Sequence, residues 1–311
     1  MNAKAERLYC SEVSRQAGEA LFGTATRTES YLLLEYDQTW GAKAFEESHL
    51  PEAVKEALKA YTKNRPALKL LVIRRQRTSR ETGLHFFVAR VTEDKPALYS
   101  FQLTSYEDLL SLDITAILEG QPAYSSNRQN HPLILVCTNG HRDLCCARFG
   151  TQTYSALSQA AMTHQSFEVW QSSHQGGHRF APNVICLPQG LHYGRVDIES
   201  SQAVLEACLN EQVYLPNLRG RTCYDPVVQA ADYHLRKQTG ETSLGAYRLL
   251  QAEETTPKNW GVKFISNRTA TVYQVDIVVN QPGTQVYDSC AFDKTASVTE
   301  HILRKIEVVE A

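Results

Sequence analysis

Short apolar runs alternate with amphipathic stretches through the first 240 residues of the chain. In the first part, the apolar runs predict strands at 31–36, 68–73, 85–91 and 97–103. Apolar residues at helical spacing predict helices at 51–65 and 105–119. The polar segment QPAYSSNRQNHP at 121–132 contains two prolines and indicates a boundary.

The second part repeats this order of elements. Its apolar runs predict strands at 131–137, 167–171, 183–188 and 191–196. Helices are predicted at 143–163, with Asp143 as N-cap, and at 199–210, with Glu199 or Ser200 near its start. Both parts therefore follow the order β-α-β-β-β-α, which is typical of a thioredoxin-like layer of helices over a mixed sheet.

The repeated order suggests a duplicated fold. An ungapped overlay of residues 72–89 on 169–186 sets strand on strand, and it places Arg77 and Glu81 where the second part has His174 and His178. We expect the first copy to have lost a site that the second copy keeps. The alternative is that two short α/β units share their order by chance.

The pattern changes after a helix predicted at 224–240, which has Pro226 in its first turn. Strict alternation of apolar and polar residues then predicts a small antiparallel region, whose last segment, TASVTEHILRKIEVVEA, fits a helix or a strand. The predicted fold class is α/β, with two thioredoxin-like units and a small antiparallel appendage at the C-terminal end. The predicted domains are 1–122, a degenerate thioredoxin-like domain; 123–240, which carries the site; and 241–311, mostly β.

Composition is that of an ordinary soluble globular protein, with 42% hydrophobic and 21% charged residues and a net charge of −2. A protein that tracks a nucleic-acid backbone normally carries a clear basic excess, so nucleic acid is not an expected partner. The first residues lack the apolar core of a signal peptide, and no apolar run approaches the roughly 20 residues of a membrane helix. We expect a cytoplasmic protein without a membrane partner.

Three of the eight cysteines lie in the segment CTNGHRDLCCARFG, at 137–150, between a predicted strand and the helix that follows it. The positive end of a helix dipole and free backbone N–H groups stabilise thiolates, which are the form that binds metals. Neighbouring helical residues point about 100° apart, so at most one of Cys145 and Cys146 is expected to face this loop beside Cys137. We interpret Cys186, Cys208 and Cys223 as small buried hydrophobic residues, and Cys10 and Cys290 receive no functional interpretation.

Two histidines occupy the segment VWQSSHQGGHRFAPN, at 169–183. Gly176 and Gly177 stand between His174 and His178 and disfavour a helix, so this segment is predicted to be a loop. In a thioredoxin-like fold, this loop and the cysteine loop can converge at one end of the sheet. Two thiolates and two neutral imidazoles would then meet at a metal centre, with His141 as a reserve ligand or a hydrogen-bond donor to one.

Four arginines fall close to these two loops in sequence: Arg142, Arg148, Arg179 and Arg195. They are candidates for docking an acidic redox partner or holding a small anion. The simpler interpretation of each one is a surface charge or a donor to backbone carbonyls.

Three functions are compatible with these residues. The first is a redox or electron-transfer protein built on a metal centre. The second is a zinc-binding module, because two cysteines and two histidines also satisfy tetrahedral zinc, although the spacing is unlike that of zinc fingers. The third is thiol–disulfide chemistry at Cys137, Cys145 and Cys146, which is disfavoured because the chain has no CXXC motif there.

Several blocks together resemble the sucrase/ferredoxin-like family. These blocks are GHRDLCC, SSHQGGHRFAPN, PQGLHYGRV and LRGRTCY, with GTATRTESYLLLEYDQTWG and LLVIRR nearer the start. The family's cluster domain is similar to the thioredoxin-like 2Fe-2S ferredoxins, and in its histidine-bearing branch an HX3H motif replaces the second cysteine pair. The resemblance implies a 2Fe-2S cluster with Cys137 and Cys146 on one iron and His174 and His178 on the other. Cys145 is then not a ligand.

The resemblance also implies a function in electron transfer, with a separate reductase or electron acceptor as partner. The chain has no GXGXXG motif after a predicted strand, so any nicotinamide or flavin would be used by that partner. The word sucrase has no support in the sequence, because no carboxylate pair stands in a recognisable glycosidase setting.

Histidine ligation predicts a pH-dependent reduction potential. Neutral imidazoles in place of thiolates remove negative charge and raise the potential, as in Rieske centres at about −150 to +300 mV against about −400 mV for plant-type ferredoxins. Because reduction favours protonation of a ligand imidazole, the potential is expected to fall as the pH rises. Voltammetry at a series of pH values measures this, and a flat potential where the oxidised imidazoles titrate contradicts solvent-accessible histidine ligands.

Overall fold

A computed structural model describes residues 8–75, 83–163 and 166–310 of the chain. The first half forms one β-α-β-β-β-α unit behind a short helix, α1. Its helices α1, α2 and α3 span Cys10–Gln16, Glu52–Lys63 and Ile114–Glu119. Its strands β1 to β4 span Ser30–Glu35, Leu68–Arg74, Leu84–Arg90 and Ala97–Leu103.

The prediction of a single helix at 105–119 is wrong. A 3-10 helix at Tyr106–Ser111 precedes α3, and the chain is extended at Leu112 between them. The side chain of Asp113 accepts a hydrogen bond from the backbone N–H of Ala116 and so starts α3 anew. Local capping at Asp113 therefore overrides the apolar periodicity of this segment.

The second half repeats the unit. Its strands β5 to β10 span Arg128–Gln129, Leu133–Cys137, Glu168–Ser172, Val184–Leu187, Leu191–Tyr193 and Leu218–Arg221. Its helices α4, α5 and α6 span Thr151–Thr163, Ile198–Leu209 and Pro226–Thr239. The strand predicted at 191–196 ends early, at Tyr193, and the N-cap of α5 is Asp197, whose side chain accepts from the N–H of Ser200.

All ten of these strands form one sheet in the order β10-β9-β8-β6-β7-β2-β1-β3-β4-β5. In the first half, β1 pairs in parallel with β2 and antiparallel with β3, and in the second half β6 pairs in the same way with β7 and β8. β2 is the edge strand of the first half and β7 that of the second. These two strands pair antiparallel, with Ile73 opposite Ser172, and so join the two halves into one sheet. The structure confirms the α/β class and the two related units.

The division into domains at 122/123 and 240/241 stays a prediction. Arg77 and Glu81, which the overlay aligns with the two histidines, lie outside the described residues.

Successive side chains along each strand point to opposite faces of the sheet, so the core is divided into two layers, one on each face. On β1, Leu32 and Leu34 pack on one face with α2, whereas Tyr31 and Leu33 pack on the other. The second face is continuous across both halves, since Trp170 of β7 lies in the same apolar cluster as Tyr31. This shared core fixes the relative position of the two halves and of the loops at their strand ends.

The C-terminal region is an antiparallel appendage. Strands β11 to β16 span Tyr247–Thr256, Asn259–Ser266, Val272–Asn280, Gln285–Tyr287, Thr295–Ser297 and Glu300–Val309. β11, β12, β13 and β16 make a four-stranded sheet, and β14 and β15 make a separate hairpin. The last segment is therefore a strand, and α6 packs Val228 and Leu235 against the sheet beside Phe264. In the described part of the chain, every helix is too short or too polar to cross a membrane.

Candidate metal centre

The cysteine loop follows β6, and the loop at 173–183, which carries His174 and His178 and is called the histidine loop, follows β7. Both loops leave the same edge of the sheet. β6 ends at Cys137 and the parallel strand β7 ends at Ser172, and these two residues are paired in register. Parallel neighbours end at the same edge, so His174, two residues beyond Ser172, lies beside Cys137. The His174 side chain helps to lower the pKa of the Cys137 thiol, as expected for two groups that face each other. The predicted convergence of the two loops is confirmed.

Cys146 faces Cys137 from the start of the helix that follows the cysteine loop. Their Sγ atoms are 3.5 Å apart. The helix starts after Asp143, whose Oδ1 accepts from the N–H of Cys145 at 2.9 Å, so the predicted N-cap is confirmed. A π-helical turn at Cys146–Gly150 brings the backbone so near to β6 that a Cβ at Gly150 would lie 2.1 Å from the carbonyl oxygen of Cys137.

Cys145 points away from Cys137 and Cys146. Its Sγ lies 3.5 Å from the Sγ of Cys10 and 3.1 Å from that of Cys290. The prediction that only one of the adjacent cysteines faces the loop is confirmed. The grouping around Cys145 has no signal in the local sequence, because its members come from opposite ends of the chain.

His178 completes the predicted set. Its ring stacks on that of His174, with centroids 4.2 Å apart and an angle of 23° between the planes. The Nδ1 atom of His178 is buried and has no hydrogen-bond partner among the described residues. A buried polar nitrogen without a partner is costly, and binding to a metal would give this nitrogen its partner. His141 is exposed on the cysteine loop, as are Arg142 and Arg148.

The protonation states suit metal binding. The hydrogen bond between the Cys137 and Cys146 side chains lowers the pKa of Cys137 well below the usual thiol value despite burial, and His174 and the backbone of Gln175 act in the same direction. Burial lowers the pKa of His178 to about 4, with further lowering by His174 and Arg142. Near neutral pH the site therefore offers an uncharged imidazole at His178 and a Cys137 thiol that loses its proton more readily than a free cysteine, both of which favour metal binding.

A network of buried donors fixes the histidine loop. Arg219, which is 1% exposed, donates to the carbonyl oxygen of Gly176 at 2.9 Å and to Oδ1 of Asn183 at 2.8 Å. Lys69 of β2 donates to the carbonyl oxygen of Gln175. Interpretation of single residues missed Arg219 and Lys69, although the blocks LRGRTCY and LLVIRR, which lie at or next to these residues, were part of the sequence resemblance.

The other two arginines near the loops make structural contacts. Arg179 forms ion pairs with Glu19 at 2.9 Å and with Asp288 at 3.0 Å. Arg195 donates to the carbonyl oxygen of Glu19 at 3.0 Å. Both therefore tie the histidine loop and its surroundings to the N-terminal segment, and Arg179 also reaches the C-terminal region.

The profile of the sucrase/ferredoxin-like family matches residues 21–220, more than half of the chain. The chain is similar to altered inheritance of mitochondria protein 32 of Meyerozyma guilliermondii, at 26% identity over 138 residues. That match covers 42% of this chain and 47% of the relative, so the chain spans about half the length of this relative.

Two solved structures are also similar to part of the chain. The thioredoxin-like 2Fe-2S ferredoxin of Aquifex aeolicus is 19% identical, over 25% of this chain and 80% of that one, with a TM-score of 0.23. A cysteine-to-serine variant of the same ferredoxin is 20% identical, over 24% of this chain and 84% of that one, with a TM-score of 0.22.

Proposed function

The chain belongs to the sucrase/ferredoxin-like family, and from this we propose that it is an electron-transfer protein that holds a 2Fe-2S cluster. The ligands are Cys137 and Cys146 on one iron and His174 and His178 on the other. The observation that carries the proposal is the meeting of these four side chains at one edge of the sheet, with Nδ1 of His178 buried and unpartnered there.

The spread of the four side chains favours a binuclear centre over a single zinc ion. A tetrahedral ion with sulfur at about 2.3 Å and nitrogen at about 2.1 Å holds all its ligand atoms within about 4 Å of one another. In the described part of the chain, no three of these four residues bring their ligand atoms within 4.8 Å of one another. The cysteine sulfurs by themselves, 3.5 Å apart, fit one metal, which leaves the histidines for another.

When bound, the cluster supplies the exchange of one electron at a time. The chain supplies the positive charge beside it. Burial lowers the pKa of Lys69 to about 8 and that of Arg219 to about 9, so both remain charged at neutral pH, and both interact electrostatically with Cys137. Their field favours an added negative charge at this edge of the sheet and so raises the potential.

His174 offers the route to a redox partner. It is partly exposed and lines a surface cavity, whereas His178 is 6% exposed. The charged side chains that line the same cavity are mostly positive: Lys43, Lys59, Lys69 and Arg142, against Glu46. An acidic patch on a reductase or an electron acceptor complements this cavity, and a partner docked there would lie against a ligand of the cluster.

Metal and sulfide analysis tests the proposal. Protein purified or reconstituted without oxygen is expected to be red-brown and to contain about two irons and about two acid-labile sulfides per chain. Protein that stays colourless and takes up neither iron nor sulfide on reconstitution would refute it. Zinc bound by Cys137, Cys146 and the two histidines would establish the zinc module in its place.

Lys69→Met is expected to lower the potential of the centre by several tens of mV. An interaction of about 1 kcal/mol, which is modest for charges near a protein surface, corresponds to about 40 mV for one electron. Voltammetry measures the shift, with Lys69→Arg as the matched control, because arginine keeps the charge and a donor toward Gln175. A Lys69→Met potential equal to that of the wild type would show that this charge does not act on the centre.

A further inference from the structure

A second group of metal-binding side chains lies behind the proposed cluster ligands. It consists of Cys10, Asp143, Cys145 and Cys290, whose ligand atoms all lie within 4.8 Å of one another. The three Sγ–Sγ distances are 3.5 Å for Cys10 and Cys145, 3.1 Å for Cys145 and Cys290, and 3.6 Å for Cys10 and Cys290. Oδ1 of Asp143 lies 3.9 Å from the Sγ of Cys10.

These distances suit one tetrahedral ion. Thiolates that bind one zinc ion at about 2.3 Å in tetrahedral geometry lie about 3.7 Å apart. Cys10 and Cys145 are fully buried, Asp143 is 4% exposed, and Cys290 is partly buried. The group thus offers a closed set of four ligands, with no position left open for a substrate.

The surroundings orient the ligand atoms. The backbone N–H groups of Cys145 and Cys290 donate to the two carboxylate oxygens of Asp143, at 2.9 and 2.8 Å. The hydroxyl of Ser11 donates to the Sγ of Cys145 at 3.2 Å, and the N–H of Cys10 donates to the Sγ of Cys290 at 3.5 Å. Outer hydrogen bonds of this kind are typical of structural metal sites, where they disperse thiolate charge.

We propose that Cys10, Asp143, Cys145 and Cys290 bind one structural Zn²⁺ ion, separate from the cluster. On binding, the S–Zn bonds replace the S–H bonds of those thiols that are protonated, and these protons pass to solvent; no electron is transferred. The inference does not rest on the proposed iron–sulfur function, because it uses none of the four cluster ligands.

The proposed zinc site gives residues 241–311 a structural function. Cys10 begins α1, Asp143 and Cys145 belong to the cysteine loop and its helix, and Cys290 lies between β14 and β15. One ion therefore fastens the N-terminal helix and the C-terminal hairpin onto the loop that carries Cys146. The ion pairs of Arg179 with Glu19 and Asp288 join the same segments to the histidine loop.

Metal analysis of variants tests the site. The wild type, purified anaerobically, is expected to contain about one zinc per chain in addition to its iron. Cys290→Ser and Cys10→Ser are expected to lose most of the zinc and to keep iron and sulfide. Cys146→Ser is expected to keep the zinc whatever becomes of the iron, so failure of one proposal is distinguishable from failure of the other. Cys223→Ser, outside both groups, is the control.

Cobalt provides a second readout that does not depend on the stability of variants at the four proposed zinc ligands. Apo-protein of the wild type, titrated with Co²⁺, is expected to develop the charge-transfer absorption of cobalt bound to thiolates, and Zn²⁺ should abolish it. The Cys146→Ser protein should give the same spectrum. Absence of zinc and of the cobalt absorption in both proteins would overturn the proposal, as would a disulfide between Cys145 and Cys290 in anaerobically purified protein.

Discussion

Replacement of Cys146 by serine is expected to remove nearly all of the iron, the sulfide and the visible colour of the protein. Serine at Cys137 should do the same. Both thiols are buried, with their sulfurs 3.5 Å apart, and the hydrogen bond between them lowers the pKa of Cys137. Loss of either sulfur removes one of the two protein ligands of one iron. A serine hydroxyl in its place is a poor ligand for iron.

Cys145 provides the matched control for this prediction. It is adjacent in sequence to Cys146 and equally buried, yet its sulfur points toward Cys10 and Cys290. Cys145→Ser should therefore keep iron and colour and lose only zinc. If Cys145→Ser loses its colour while Cys146→Ser keeps it, the assignment of ligands within the pair is reversed.

Replacement of either histidine by cysteine is expected to keep a coloured cluster and to lower its potential strongly. Each change exchanges a neutral imidazole for a thiolate, which makes the addition of an electron less favourable. Potentials differ by a few hundred mV between two-histidine and all-cysteine centres, so each single variant should fall by on the order of 100 mV or more. The change at His178 places the new charge in the more deeply buried position.

His141→Cys is the control for the histidine variants. His141 lies on the cysteine loop but is exposed, and the new thiol would meet solvent. The reduction potential of the cluster in His141→Cys should therefore equal that of the wild type. Histidine-to-cysteine variants at 174 and 178 whose potentials are also unchanged would show that these imidazoles do not bind the cluster.

Much of the fold and the meeting of the two loops could be predicted from the sequence, because they depend on local pattern and on a simple rule of sheets, whereas the choice of Cys146 over Cys145 came from the family resemblance. Apolar runs mark β6 and β7, and parallel neighbours end at the same edge, so Cys137 and His174 meet. The helical angle between adjacent residues separates Cys145 from Cys146. The break between the 3-10 helix and α3 was missed because the capping by Asp113 leaves the apolar spacing unchanged.

The remaining features depend on contacts that no local pattern records. Cys10 and Cys290 are 280 residues apart in the chain and meet only after the C-terminal hairpin packs beside α1. Arg219 is a charged residue whose complete burial depends on acceptors from distant loops, such as Gly176 and Asn183. Lys69 reaches the histidine loop because β2 and β7 pair across the two halves.

The central claim is that two sulfurs from the cysteine loop and two ring nitrogens from the histidine loop bind the same cluster. Nitrogen hyperfine spectroscopy of the dithionite-reduced protein, labelled with ¹⁵N in its histidines, measures this directly. We predict two directly bonded histidine nitrogens in the wild type and one in each of His174→Cys and His178→Cys. A reduced cluster with no strongly coupled histidine nitrogen in the wild type would contradict the account.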